Sequence, residues 1–121
     1  MANLEDYAQV DVCLPDHQYA ITICRNALHD PGFLRESVSS KQILIVTNET
    51  IAPFYLKPLQ EAFLNVQCDV MILKDGEEYK NQHNLHLIYD SLIKNRHHRD
   101  TTLVALGGGV VGDINGFAAS T

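Results

Sequence analysis

The chain has no apolar run of membrane-spanning length, no Cys-x-x-Cys pair, no surplus of positive charge and no repeat or low-complexity tract. Each absence removes a class of function. A membrane-spanning helix needs about 20 consecutive apolar residues, and nothing here approaches that, so no membrane partner is expected. Met1-Ala2-Asn3-Leu4-Glu5-Asp6 lacks the basic and apolar regions of a secretion signal, which predicts a cytoplasmic protein. Cys13, Cys24 and Cys68 lie in strand-like or apolar stretches without metal or redox spacing, and buried reduced thiols are expected. Nine Lys and Arg against fifteen Asp and Glu give a formal net charge of −6, which offers no basic patch to a phosphate backbone. Nucleic acid is therefore not an expected partner.

What is present suits one small globular domain. The 121 residues are 45% hydrophobic and 20% charged, and a chain of this length buries roughly two-thirds of its unfolded surface. Val10 to Leu14 and Tyr19 to Cys24 are strand candidates around the loop Pro15-Asp16-His17-Gln18, a β-hairpin at the start. Arg25 to Leu28 and Phe33 to Glu36 read as short helical pieces separated by a turn at Asp30-Pro31-Gly32. The pattern then changes. Gln42 to Thr47 is a continuous apolar run, the signature of a parallel strand covered on both faces. Val66 to Leu73 and Thr101 to Leu106 are two more such strands. Between them a helix is predicted from about Pro53 to Asn65, kinked or broken at Pro58. A second runs from Asn81 to Asn95 with Leu85, Ile88, Tyr89, Leu92 and Ile93 on one stripe. Alternating strands and helices predict an α/β fold: a Rossmann-like parallel sheet with helices on both faces, preceded by the hairpin.

The third parallel strand feeds Gly107-Gly108-Gly109-Val110-Val111-Gly112-Asp113 and a helix-like tail. Glycines let the backbone approach a ligand, and the unpaired N–H groups of a first helical turn carry the equivalent of about half a positive charge. A nucleotide phosphate is the expected ligand; a tight turn with no ligand is the alternative. In the usual dinucleotide fold such a string follows the first strand, so here it would be a late-turn variant. Asp113 would cap the helix but repel a phosphate placed on it, which leaves it to accept from a ribose or nicotinamide group. Ligands of parallel sheets bind beyond the carboxyl ends of the strands. Topology brings there the glycines, Asn48-Glu49-Thr50, and the charged connection Lys74 to Lys80. In the last, carboxylates can hold ribose hydroxyls and Lys80 can reach a phosphate; a solvated turn at Asp75-Gly76 is the other reading.

Three segments together resemble the 3-dehydroquinate synthase family, in its order and spacing: Val46 to Pro53, Asp75-Gly76-Glu77-Glu78-Tyr79-Lys80, and Arg99 to Asp113, continued by Gly116-Phe117-Ala118-Ala119. The resemblance covers nearly the whole chain. It implies a lyase of the shikimate pathway of aromatic amino acid biosynthesis, which converts 3-deoxy-arabino-heptulosonate 7-phosphate to 3-dehydroquinate and phosphate. It implies tightly held NAD as a transient oxidant, a divalent metal (zinc or cobalt), a sugar-phosphate substrate and a homodimer. Carried over by residue, Asn48 is expected near the adenosine, Glu77 and Lys80 as a nucleotide-holding pair, Gly108, Gly109 and Val110 as the pyrophosphate turn, and Asp113 as a carboxylate orienting the cofactor. The nucleotide-binding set implied is Asn48, Asp75, Gly76, Glu77, Glu78, Tyr79, Lys80, Gly108, Gly109, Val110, Val111, Gly112 and Asp113.

Family members continue for a further domain that carries the substrate groups and metal ligands. Residues 1–121 are thus expected to be an incomplete, C-terminally truncated NAD-binding domain, with no catalytic and no metal-binding residue of its own. His83 and His86 stand three apart on a helix and His97-His98 adjoin its end, but nothing completes a metal geometry, and surface histidines are expected. Alternatives to the synthase are another sugar-phosphate cyclase, a metal-dependent polyol dehydrogenase of the same architecture, or a nucleotide-binding module without chemistry.

Overall fold

The structure, a computed structural model, describes residues 5–76 and 81–120, and for Glu5 to Tyr7, Val110 and Phe117 the backbone only. Strands β1 (Glu5–Cys13) and β2 (Gln18–Arg25) form an antiparallel hairpin. A 3-10 turn (Ala27–His29) and helix α1 (Pro31–Glu36) lead to strand β3 (Gln42–Asn48). Helix α2 (Ala52–Ala62), strand β4 (Gln67–Leu73), helix α3 (Gln82–Lys94), strand β5 (Thr102–Ala105) and helix α4 (Gly109–Ser120) follow.

β3 is the centre of a three-stranded parallel sheet in the order β4-β3-β5. Its run of branched apolar residues suits burial from both sides, and Ile43, Leu44, Ile45, Val46 and Thr47 are all 0% exposed. Successive side chains point to opposite faces, so the strand feeds two cores. Leu44 and Val46 pack with Leu73, with Ile88 of α3, and with Val111, Ile114 and Ala118 of α4. Ile43 and Ile45 pack with Leu59, Ala62 and Phe63 of α2 and its end, backed by Leu28, Leu34 and Val38. Helices therefore cover both faces, as the strand–helix alternation predicts.

Several local expectations need correction. Pro31 and Gly32 are not a turn before a helix but its first residues: Asp30 Oδ1 accepts from Phe33 N at 3.1 Å, and a proline at the first helical position leaves no bond unmade. Arg25 ends β2 rather than starting a helix. α2 runs through Pro58 as one element. Pro58 removes the helical bond to the carbonyl of Phe54, a residue that is 73% exposed. On α3 the stripe holds for Leu85, Ile88, Tyr89 and Leu92, but Ile93 is 76% exposed. Five positions past Ile88 the helix has turned about 140° away from that residue's direction.

The cysteines and histidines differ from expectation as well. Cys13 is exposed, on the polar face that β1 and β2 share with Gln9, Asp11 and Gln18, and Cys24 and Cys68 are half-buried. All three are free thiols. His97 is not a surface residue: its side chain is 1% exposed and pairs with Asp69 at 2.7 Å, because the chain turns inward after α3.

Candidate nucleotide-binding site

β3 ends in Thr47-Asn48, β4 in Leu73 followed by Asp75-Gly76, and β5 in Ala105 followed by the glycines. Since the three strands are parallel and in register, these ends lie side by side. They enclose a cavity of about 210 Å³ lined by Asn48, Ile51, Asp75, Gly108, Gly109 and Val111.

The glycine turn makes one lip. Gly107 has φ 148, a conformation that L side chains rarely adopt, and a Cβ there would lie 3.2 Å from Cγ2 of Val111. At Gly108 and Gly109 a Cβ would meet nothing within 4 Å, so the backbone is bare toward the cavity. The first helical bond of α4, Gly112 N to Gly108 O at 3.1 Å, leaves the N–H groups of the residues between without intrahelical acceptors. They add the positive end of the helix dipole to the lip. Val111 itself is 2% exposed and belongs mainly to the core, while Gly112 lies on the exposed side of the helix.

Asp75 and Asn48 make the other lip. Gly76, with φ 125, provides the tight turn that the Asp-Gly pair predicts. Asn48 is 7% exposed, and its Oδ1 accepts from Thr50 N at 3.1 Å and Ile51 N at 2.8 Å. Its amide donates to Asp75 Oδ1 at 3.4 Å. The side chain thus ties the strand end to the approach of α2 and to Asp75. Glu77, Glu78, Tyr79 and Lys80, the charged part of the expected set, lie outside the described residues, as does the side chain of Val110.

Asp113 stands differently from the sequence expectation. α4 begins at Gly109, so Asp113 falls beyond the first turn and is no cap; it is exposed and does not line the cavity. Two contributors escaped the sequence reading. Ile51 walls the cavity, and Thr47 Oγ1 donates to Leu106 O at 2.7 Å beneath the turn. Both occur within the Val46 to Pro53 segment, yet an apolar residue and a buried threonine carry no chemical signal of a site. Among the described residues no group of three His, Cys, Asp or Glu side chains could hold a metal ion, and no helix is long and apolar enough to cross a membrane.

Fold and cleft together define an α/β domain with an open cleft at the carboxyl edge of a parallel sheet. Residues 70–121 match the family model for the 3-dehydroquinate synthase N-terminal region. The whole chain is 61% identical to the 3-dehydroquinate synthase of Legionella pneumophila (strain Paris), of which it covers 33%. It is 50% identical over 112 residues to that of Coxiella burnetii (strain CbuG_Q212), covering 31% of that protein. The chain therefore resembles 3-dehydroquinate synthase throughout and spans about a third of the length of these relatives. Among solved structures it is similar in fold to 2-deoxy-scyllo-inosose synthase complexed with carbaglucose-6-phosphate, NAD+ and Co2+. The TM-score is 0.79 at 21% identity, covering 94% of this chain and 32% of that one. A second structure of 2-deoxy-scyllo-inosose synthase gives a TM-score of 0.80.

Proposed function

We propose that this chain is the NAD-binding part of a 3-dehydroquinate synthase, the lyase that converts 3-deoxy-arabino-heptulosonate 7-phosphate to 3-dehydroquinate and phosphate. The observation that carries the reading is the cleft of Asn48, Asp75, Gly108 and Gly109, on a chain 61% identical to an enzyme of that name. The fold neighbour complexed with NAD+ and carbaglucose-6-phosphate is consistent with it. The 21% identity of that neighbour speaks for the architecture only, so the dehydroquinate reaction is preferred to that of another cyclase.

The residues fit NAD. Gly108 and Gly109 leave room for a pyrophosphate against bare backbone, and the start of α4 supplies N–H donors and a favourable dipole. Asp75, which accepts from the Asn48 amide, would accept from ribose hydroxyls with its remaining lone pairs. Glu77 and Lys80 would complete the nucleotide contacts, and Gly76, Glu78, Tyr79, Val110, Val111, Gly112 and Asp113 belong to the same proposed set, Asp113 outside the cavity itself. When bound, NAD supplies a transient oxidant that makes a neighbouring substrate proton acidic. The chain's own part in that step is to hold and orient the cofactor at the sheet edge.

The described residues offer no group of three side chains that could hold zinc or cobalt. The metal, the substrate contacts and catalysis are assigned to the remaining two-thirds of the length that the relatives have. A cytoplasmic location and a homodimer belong to the same reading. The hairpin face carrying Val10, Tyr19, Ile21 and Ile23, each 45–61% exposed, favours association. The test of the cleft is titration of NAD into 15N-labelled protein. The amides of residues 75, 76 and 107 to 113 are expected to move. Shifts confined to the His83 or His98 surroundings would refute the assignment.

A further inference from the structure

The carboxyl end of β3 joins the two lips of the cleft. Leu106 is the last residue before the glycine turn, and both of its backbone polar groups are held by neighbours on β3. Its N–H donates to Val46 O at 2.9 Å, and its carbonyl accepts from Thr47 Oγ1 at 2.7 Å. The second bond fixes the Leu106–Gly107 peptide, whose plane sets where the left-handed Gly107 sends the chain. Thr47 is 0% exposed, so its hydroxyl has no water to turn to. One residue on, Asn48 holds Asp75 on the opposite lip, and Glu49 N donates to Leu73 O at 2.9 Å to pin the end of β4.

We propose that Thr47 is a positioning residue for cofactor binding: through its hydroxyl bond to Leu106 it sets the glycine turn at the distance from Asp75 that a dinucleotide needs. The role rests on the reading of the cleft as an NAD site. Thr47 touches no ligand; it acts through the peptide that starts the turn. A threonine kept only for packing would be replaceable by valine, which has its shape but no hydroxyl.

The experiment compares Thr47→Val and Thr47→Ser with the wild-type chain in two measurements. In ligand-free 15N spectra, Thr47→Val is expected to displace the amide signals of Gly107, Gly108 and Gly109 while the α1, α2 and hairpin signals stay in place. In NAD titrations the midpoint is expected to rise roughly five-fold, the effect of one lost neutral hydrogen bond. Thr47→Ser, which keeps the donor, should restore both. If Thr47→Val does not fold, Thr47→Cys keeps the volume with a weak donor and serves in its place. Turn signals that superpose on wild type, or an unchanged NAD midpoint in a folded variant, would overturn the proposal. A wild-type chain that gives no NAD response would instead overturn the reading of the cleft, and the ligand-free spectra would still decide the role of Thr47.

Discussion

His97 and Asp69 form a pair at the amino end of the sheet, Nε2 to Oδ2 at 2.7 Å, with the imidazole 1% exposed and the carboxylate 28%. The pair belongs to a larger network: Nδ1 of His97 lies 3.1 Å from Thr101 Oγ1, which donates to Gln42 Oε1, and Gln67 donates to both Asp69 and Asn95 O. It ties the starts of β3 and β4, and the residue before β5, to the end of α3.

Replacing His97 by leucine should therefore destabilise the fold without touching the cleft. Asp69 and Thr101 would lose a partner in a partly dry place, a loss of about 1–3 kcal/mol. Urea denaturation would register it as a lower midpoint at unchanged slope, while the NAD-responsive amides should respond as in wild type. An unaltered midpoint would mean that the network does not contribute to stability.

The glycines should separate by role. Gly107→Ala forces a side chain into a positive-φ position 3.2 Å from Val111, and is expected to lower stability by about 1–3 kcal/mol. At Gly109 an added Cβ meets no atom within 4 Å, so in Gly109→Val the fold should survive while NAD binding disappears. Thermal melts paired with NAD titrations distinguish the two. Equal melting losses for both variants would contradict the open lip.

Burial, and secondarily the neighbouring Asp69, raises the Cys68 thiol above its ordinary value of 9.0. The native state thus holds its proton more tightly than the unfolded chain. The contribution to stability is full below the ordinary thiol range and fades as pH rises through it toward the raised native value. A series of urea midpoints from neutral to alkaline pH should decline, and Cys68→Val should flatten that part of the decline. Exposed Cys13 should also react with iodoacetamide before Cys68.

These 121 residues alone should catalyse nothing. Phosphate release from 3-deoxy-arabino-heptulosonate 7-phosphate, with NAD and zinc supplied, is expected to equal the protein-free control. Turnover above it would place catalytic groups within this chain.

The sheet was legible because its signals are local and redundant. A run such as Gln42 to Thr47 has no stable place except between two layers, and the glycines after Leu106 mark the point where strand passes to helix. Legibility failed where a residue's fate is decided by chain geometry. Pro58 breaks a local rule, yet α2 continues through it as one element. Ile93 is apolar but rotated off the stripe. His97 reads as half of a surface pair with His98 until the turn after α3 brings it against Asp69, 28 positions away. In the cleft, Asp75 and the glycines follow from motif and topology. That Asn48 spends its carbonyl oxygen on Thr50 and Ile51 is set by how closely the chain folds back after β3.

The alternation along β3 has a bearing on how the domain comes apart. Ile43 and Ile45 are the wall of one core, and Leu44 and Val46 the wall of the other, all at 0% exposure. Neither layer of helices can leave without baring a strand that the opposite layer still needs, so the two halves share one unfolding event. The amides of β3 should consequently exchange with solvent only when the whole molecule opens. Their exchange rate reads global stability directly.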